Sequence, residues 1–302
     1  MMSTRVISIV VTYNRLNLLK KTIDCLRRQT APLSKIIVVN NGSADGTRQW
    51  LDQQNDLTVV TQQNVGGAGG FCTGIRLASQ TDTDWIWCMD DDVFPRPDCL
   101  AKLLENTSIP NVGILAPRRI RAGQIYSNDF ISYNLTNPFA SMYKGKLSKM
   151  RINKPTTISG TAFEGLFVKK ETTDQIGLPN KDLFIFCDDT DFCLRAIRAG
   201  YKIVYVPDAL IDKQLFFQND SWTERNKKKK WKRFYQVRNA AYLNHHYGLT
   251  FGVRYLRSFI SVLGYILTAF FTAPFADAYK FSDIPKLWKA YTDGVHEKLG
   301  KI

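Results

Sequence analysis

Apolar runs of strand length alternate with helix-like stretches over the first 90 residues of the chain. The runs are nearly continuous and rich in β-branched residues, which is typical of parallel strands that are buried on both faces. After the first run, Leu19, Ile23 and Leu26 recur at the spacing of one helix face. This alternation predicts an α/β fold with an open, mostly parallel sheet. The predicted strands are residues 6–11, 36–39, 58–60, 85–89 and, much later, 203–206.

Polar residues follow the predicted strands. Thr12 and Asn14 follow the first strand, Asn41 follows the second, and the glycine-rich segment 64–70 follows the third. Ligands of open α/β sheets bind outside the carboxyl ends of the strands, so these residues are expected to line one ligand-binding edge. The glycines could let backbone N–H groups approach a phosphate. A purely structural glycine turn is the alternative, and a dinucleotide fingerprint is disfavoured because its third glycine would fall at Cys72.

Three consecutive carboxylates, Asp90, Asp91 and Asp92, follow the fourth predicted strand. Adjacent acids beside a buried strand repel one another, so such a cluster usually needs a cation. Oxygen ligands suit Mg²⁺ or Mn²⁺, which commonly bind substrate phosphates through one or two protein carboxylates. A solvated acidic turn is the alternative for an isolated triplet, but the strand and the glycine segment before it favour a metal site.

A second acidic segment contains Asp188, Asp189 and Asp191 and also follows an apolar run. A helix that begins near Asp189 would bury Phe192, Ala196 and Ala199 on its inner face. The helix dipole favours acids in a first turn, so helix capping is the alternative role for Asp188 and Asp189.

Positive charge is concentrated in the last third of the chain. The 302 residues carry a net charge of +14, and from Lys213 onward there are 16 Lys and Arg against 6 Asp and Glu. Such a basic region indicates an anionic partner, either nucleic acid or the cytoplasmic face of a membrane. The six cysteines lack paired spacing and no signal peptide is recognised at the N-terminus, so we expect reduced cysteines in a cytoplasmic protein.

An uncharged, aromatic-rich stretch at residues 258–276 follows a basic run at 225–233. Nineteen residues is near the lower limit for a membrane span, and the cationic flanks favour a helix that lies in the membrane interface. A helix packed on the protein itself is the alternative. The sequence thus predicts an α/β domain at residues 1–213 and a basic, aromatic, membrane-associated helical region at 214–302.

Taken together, these motifs resemble family 2 glycosyltransferases, which have the GT-A fold. The resemblance covers about residues 6–213, and its matching segments are 11–15, 38–46, 64–71, 90–92 and 188–195. The glycine segment, the Asp triplet and Gly177-Leu178-Pro179 ahead of the Asp pair are most similar to bacterial galactofuranosyltransferases. Related rhamnosyltransferases share much of this pattern.

The resemblance implies an inverting, metal-dependent hexosyltransferase with a GT-A domain and a C-terminal helical extension. Asp90 and Asp92 would hold Mn²⁺ or Mg²⁺ against the donor diphosphate, and Asp189 would be the catalytic base. The residues that would bind substrate are Thr12, Asn14, Arg15, Asn41, Asn64, Gly67, Asp91, Glu164 and Asp188. The implied donor is UDP-galactofuranose, with dTDP-rhamnose as the alternative. The implied acceptor is a glycan or lipid-linked sugar of a capsule or O-antigen, at the inner face of the plasma membrane.

Two positions depart from the family pattern. Many relatives carry Asp where this chain has Asn40, and many carry a metal-binding His after the last strand, where this chain has Asp212. We expect Asp212 to replace that His as an oxygen ligand, or the metal to be held by fewer protein groups. Two other functions remain open from sequence: a nucleotidyltransferase on a similar sheet, and nucleic-acid binding by the basic third. The apolar stretch after the basic run favours lipid over nucleic acid.

Overall fold

The computed structural model describes residues 4–126, 129–150, 152–216, 220–274 and 279–302. The chain forms two compact units. The first contains Met1–Ser132, Tyr143–Lys181 and Asp189–Gln214, and the second contains Tyr133–Met142, Asp182–Asp188 and Leu215–Ile302. The second unit therefore includes two short internal segments besides the predicted C-terminal region.

Twelve strands lie within the described residues, ten of them in one mixed sheet of the first unit. The strands are β1 (Val6–Thr12), β2 (Lys35–Asn40), β3 (Leu57–Thr61), β4 (Trp85–Asp90), β5 (Val93–Pro95), β6 (Val112–Arg121), β7 (Gln124–Ile125), β8 (Phe130–Tyr133), β9 (Tyr143–Lys146), β10 (Thr156–Ile158), β11 (Phe167–Lys169) and β12 (Lys202–Lys213). The sheet order is β10-β12-β6-β11-β4-β1-β2-β3, with β5 paired to β12 and β7 to β6. β8 and β9 pair separately.

The predicted open, mostly parallel sheet is confirmed. β1 pairs in parallel with β2 and β4, and β6 pairs in parallel with β12, whereas β11 runs antiparallel between β4 and β6. All seven residues of β1 are buried, as its continuous apolar pattern indicates. Alternate residues enter two apolar clusters, since Val6 and Val10 belong to one and Ile7 and Ile9 to the other. Both faces of the sheet are therefore covered.

The helices of the first unit are α1 (Leu16–Arg27), α2 (Thr47–Leu51), α3 (Gly66–Ser79), α4 (Cys99–Leu104), α5 (Lys170–Ile176) and α6 (Asp188–Arg198), whose first residue belongs to the second unit. The inner face predicted for α6 is confirmed for Phe192 and Ala196, which are fully buried. It is wrong for Ala199, which is only partly buried and follows the end of the helix at Arg198. The helices of the second unit are α7 (Trp222–Tyr247), α8 (Arg257–Thr272) and α9 (Ile284–Val295).

The glycine segment 64–70 is largely helical rather than a loop, because α3 begins at Gly66. Close packing explains the early start. A Cβ at Gly70 would lie 2.4 Å from Val11 Cγ1, and one at Gly74 would lie 2.3 Å from Ile9 Cγ2. These two glycines let α3 approach β1 closely, and the first turn of the helix follows the carboxyl end of β3.

The last strand is longer than the predicted 203–206. β12 runs from Lys202 to Lys213, and its pairing with β6 shifts register between Val206 and Leu210. Beyond that irregularity it pairs with β5, which directly follows the Asp triplet. The strand therefore delivers Asp212 and Lys213 to the edge that carries the acids.

The second unit packs α7, α8 and α9 around an apolar cluster that includes Val237, Val262 and Leu287. The helical segment Gly252–Thr272 has the length and composition of a membrane-crossing helix, and it is the one such segment in the described part of the chain. Only 22% of its apolar window is buried. The end of the predicted stretch, residues 275 and 276, lies outside the described residues.

Candidate active site

The carboxyl ends of β1 and β4 meet, because Val11 lies opposite Asp90 in the parallel pairing. Asp91 is buried there, and the hydroxyl of Thr12 donates to its Oδ2 at 2.8 Å. Arg15 Nη1 lies 3.0 Å from Asp91 Oδ1 and 3.1 Å from Asp92 Oδ2. The structure thus places two of the predicted substrate-binding residues, Thr12 and Arg15, in contact with a third, Asp91.

Asn14 and Asn40 shape the loop that follows β2. Asn14 has a left-handed backbone (φ 53°), and its Oδ1 accepts a hydrogen bond from Ala44 N at 2.7 Å. Asn40 is fully buried, and its Oδ1 accepts from Ser43 N at 2.9 Å. Its Nδ2 is buried without a hydrogen-bond partner among the described residues. Asn40 therefore supports the turn from within rather than presenting an exposed group to a nucleobase.

Asn41 and Asn64 hold the start of α3. Asn41 Nδ2 donates to Gly66 O, and Asn64 Oδ1 accepts from Gly66 N, both at 2.9 Å. A Cβ on Gly67 would meet nothing within 4 Å. Protein packing therefore does not require glycine at this position.

A chain of alternating charges extends from Asp92 into the protein. Lys213 Nζ lies 2.9 Å from Asp92 Oδ1 and 2.7 Å from Glu164 Oε1. Behind Glu164, Arg119 Nε lies 3.8 Å from its Oε2, and Arg119 forms a fully buried ion pair with Asp129. The charges of Glu164 and Asp92 raise the pKa of Lys213 although burial alone would lower it, so this lysine is protonated. Buried charges of this kind are tolerated only when they are paired.

The carboxylate of Asp90 differs from the others, because it forms no hydrogen bond or ion pair with any residue that the structure describes. Loss of hydration raises the pKa of Asp90 well above its ordinary value, and the charge of Asp92 raises it further. A bound cation would stabilise the ionised form of such a dehydrated carboxylate more than that of the other acids. No three His, Cys, Asp or Glu side chains converge into a metal-holding group in the described part of the chain. The residues therefore fit an ion held by Asp90 and Asp92, with substrate phosphates and water as its other ligands.

Asp212 does not join this cluster, contrary to the expectation that it replaces the missing His. Its carboxylate accepts from Arg96 Nε and Nη2 at 3.1 and 3.2 Å, and about half of the side chain is exposed. The reason is the alternation of a strand, which points neighbouring side chains to opposite faces. Since Lys213 points to the acids, Asp212 points away from them.

Asp189 lies in the first turn of α6, where its Oδ1 accepts from Thr190 N at 2.6 Å. Loss of hydration raises its pKa to about 6, the charge of Glu164 contributes to the rise, and the hydrogen bonds from Thr190 and the charge of Arg119 oppose it. Glu164 raises the pKa of Asp90 as well. The two acidic segments, far apart in sequence, thus lie within electrostatic reach of one side chain.

The other acids of this segment differ from Asp189. Asp191 is buried, and Arg195 binds its Oδ2 at 3.0 Å while also donating to the carbonyl of Leu178. This links α6 to the Gly177-Leu178-Pro179 turn. Asp188 is buried at the first position of α6.

Sequence reasoning missed Arg119, Asp129 and Lys213. Arg119 lies in a stretch with no recognisable motif, and its partner Asp129 carries no signal of its own. For Lys213 a signal existed, because two neighbouring residues of a strand cannot both face the acids. Only one of Asp212 and Lys213 can face the acids, and the apolar residues of the strand indicate which one does.

An open α/β sheet with two acidic segments at its carboxyl edge is the architecture of a GT-A glycosyltransferase. The model of glycosyl transferase family 2 matches residues 8–171, more than half of the chain, and the chain belongs to this family. It is 26% identical over 203 residues to galactofuranosyltransferase GlfT1 of Mycolicibacterium smegmatis, covering 65% of this chain and 66% of the relative. It is also 25% identical over 209 residues to dTDP-rhamnosyl transferase RfbF of Shigella flexneri, covering 68% of each.

Solved structures agree on the fold. Mannosyltransferase PcManGT of Pyrobaculum calidifontis, in complex with GDP-Man and Mn²⁺, superposes with a TM-score of 0.56 at 17% identity. The match covers 98% of this chain and 89% of that protein. By contrast, the chain spans about two thirds of the length of the galactofuranosyltransferase that it resembles.

Proposed function

We propose that this glycosyltransferase transfers galactofuranose with inversion from UDP-galactofuranose onto a glycan or lipid-linked acceptor during synthesis of a bacterial surface polysaccharide. The observation that carries the proposal is that the charge of Glu164 raises the pKa of both Asp90 and Asp189, one from each acidic segment. Asp90 and Asp92 can hold a metal ion against the diphosphate, while Asp189 can accept the proton of the acceptor hydroxyl. The galactofuranosyltransferase GlfT1 among the relatives supports the choice of sugar.

Displacement with inversion requires that the attacking hydroxyl lose a proton as it bonds to the anomeric carbon. Asp189, with a pKa of about 6, is largely ionised at neutral pH and basic enough to accept that proton. Arg15 holds Asp91 and Asp92 in place and adds positive charge near the departing diphosphate. When bound by Asp90 and Asp92, Mn²⁺ or Mg²⁺ would supply electrostatic stabilisation of that leaving group.

A donor screen tests this proposal. The protein is incubated with Mn²⁺, a lipid-linked acceptor mimic and UDP-galactofuranose, UDP-galactopyranose, UDP-glucose or dTDP-rhamnose, and nucleotide release is measured. We expect UDP-galactofuranose to give the fastest release, with Asp189→Asn as the matched background. Fastest release of dTDP would establish the rhamnosyltransferase alternative, which the relative RfbF favours. Release no faster than the background from every donor would refute transfer from these nucleotide-sugars.

We further propose a peripheral location at the inner face of the plasma membrane, bound through α8. Leu267, Phe270 and Phe271 are 55%, 54% and 67% exposed, and they share one face of the helix with Ile260 and Leu263. The ring of Phe281 lies 5.9 Å from that of Phe270, which extends the apolar face beyond the helix. A continuous exposed apolar face formed by six such side chains marks an interaction site. Lysines at 280, 286 and 289 are exposed nearby in sequence, as expected for a surface that meets anionic lipid.

A further inference from the structure

The ammonium group of Lys213 occupies the position between two carboxylates of the proposed metal and donor site. Only 9% of its side chain is exposed, and its Nζ contacts Asp92 Oδ1 and Glu164 Oε1 at 2.9 and 2.7 Å. Arg15 binds the other oxygen of Asp92 at 3.1 Å. Both oxygens of this proposed metal ligand are therefore engaged by fixed cations of the protein itself.

The charges of this cluster can be counted. Its carboxylates are Asp90, Asp91, Asp92 and Glu164, and its cations are Arg15 and Lys213. With all four acids ionised, the cluster has a formal charge of −2. One divalent cation would make it neutral. A carboxylate oxygen has more than one acceptor site, so Asp92 can bind an ion while it keeps its hydrogen bonds.

We propose that Lys213 is a positioning residue that sets this charge, and that it weakens the binding of a divalent ion while strengthening the binding of the nucleotide diphosphate. The inference rests on the proposed metal dependence. Without Lys213 the cluster would carry −3, attract a dication more strongly and remain negative once the ion is bound. A diphosphate, itself an anion, would then be repelled.

Four variants form a charge series. Lys213→Met keeps the length of the side chain and gives −3, Lys213→Arg keeps −2, Glu164→Gln gives −1, and Lys213→Met combined with Glu164→Gln returns the cluster to −2. Asp212→Ala is the matched control, because that neighbour pairs with Arg96 outside the cluster. Calorimetry measures the affinity for Mn²⁺ alone and the affinity for UDP at saturating Mn²⁺, and melting temperature confirms that each variant is folded.

We expect Lys213→Met to bind Mn²⁺ roughly tenfold more tightly, the scale of a unit charge acting on a dication across a few ångströms of water-like medium. The same variant should bind UDP roughly tenfold more weakly. Glu164→Gln should weaken Mn²⁺ binding, while Lys213→Arg and the double variant should stay within about threefold of the parent. If Lys213 had only a general structural role, Lys213→Met would instead weaken the binding of both Mn²⁺ and UDP. The double variant would then not restore either affinity.

Three results would overturn the proposal. They are a Lys213→Met variant that binds Mn²⁺ no more tightly than the parent, a double variant that resembles Lys213→Met, and a parent protein that binds no Mn²⁺ with or without UDP. If Lys213→Met does not fold, Glu164→Gln against the double variant makes the same comparison. The titrations contain neither donor sugar nor acceptor. A failed donor screen with an intact charge series would therefore refute the proposed transfer alone.

Discussion

Replacing Asp189 by Asn tests the proposed base with the smallest change in shape. The Oδ1 atom accepts a hydrogen bond from Thr190 N at 2.6 Å and lies 3.2 Å from Thr190 Oγ1. An amide oxygen can accept both hydrogen bonds, so the first turn of α6 should be preserved. What the variant loses is the ability to take up a proton. Transfer should fall by about 10²-fold or more, the usual scale for a positioned base.

The raised pKa of Asp189 also predicts how the variant affects stability. Its ordinary value of 3.8 rises to about 6 in the folded protein, which corresponds to about 3 kcal/mol against the ionised form. This destabilisation is present above about pH 6 and vanishes below about pH 4, where the acid is protonated in both states. Asp189→Asn should therefore raise the free energy of unfolding by at most about 3 kcal/mol at pH 7.5 and leave it unchanged at pH 4. A variant that melts higher and turns over more slowly is expected of a functional rather than a structural carboxylate.

The assay combines three measurements on one preparation. Donor affinity is measured by calorimetry, transfer by nucleotide release, and unfolding by thermal melting at pH 7.5 and pH 4. We expect kcat to carry the loss while donor affinity changes little, because the base acts only in the chemical step. Transfer within about threefold of the parent would refute the assignment. The base would then be sought at Asp188, Asp191 or Glu164.

Three other predictions concern pH, metal and membrane. The kcat of the parent should fall about tenfold per pH unit below pH 6, as Asp189 takes up a proton, and a flat profile down to pH 5 would exclude it as the base. Asp92→Ala, or excess EDTA with the parent, should abolish transfer, whereas full activity in chelator would exclude the metal role of Asp90 and Asp92. Phe270→Ser with Phe271→Ser should weaken binding to anionic liposomes, and neutralising Lys227 to Lys230 should reduce its salt dependence. Equal binding to neutral liposomes would exclude the electrostatic contribution, and salt-sensitive binding to single-stranded DNA without lipid binding would favour the nucleic-acid alternative.

The sheet could be predicted from sequence because its strands are buried on both faces. β1 and β4 are apolar except at Ser8, Thr12 and Asp90, and such nearly continuous apolar runs predict which residues the strands contain. Once parallel order is assumed, Thr12 and Asp91 must lie at the same edge. Their hydrogen bond of 2.8 Å follows from the two patterns together. Local pattern and sheet topology were therefore enough for this part of the site.

The glycine segment shows where local pattern was insufficient. Five small residues between Asn64 and Phe71 predict a loop by propensity, yet the chain is helical from Gly66. Tertiary packing decides the outcome, since only small residues let α3 lie against Val11 and Ile9 of β1. Which of the glycines serve packing and which serve a ligand can be distinguished only when the neighbouring strand is known.

Most of the charged network could not be predicted, because the partners of Lys213 and Glu164 lie far away in the sequence. Lys213 is paired with an acid 121 positions earlier in the chain, and Arg119 contacts the carbonyl of Glu164 across 45 positions. A buried carboxylate is destabilising unless a cation is placed beside it, so the fold must bring strands β6 and β12 to the acids that follow β4. The long β12, with its change of register, meets that need by carrying Lys213 to the edge. Arg119 on β6 then balances the far side of Glu164. The acids of the site can be recognised in the sequence as motifs. The topology of the sheet then determines which cations lie beside them and allow them to be buried.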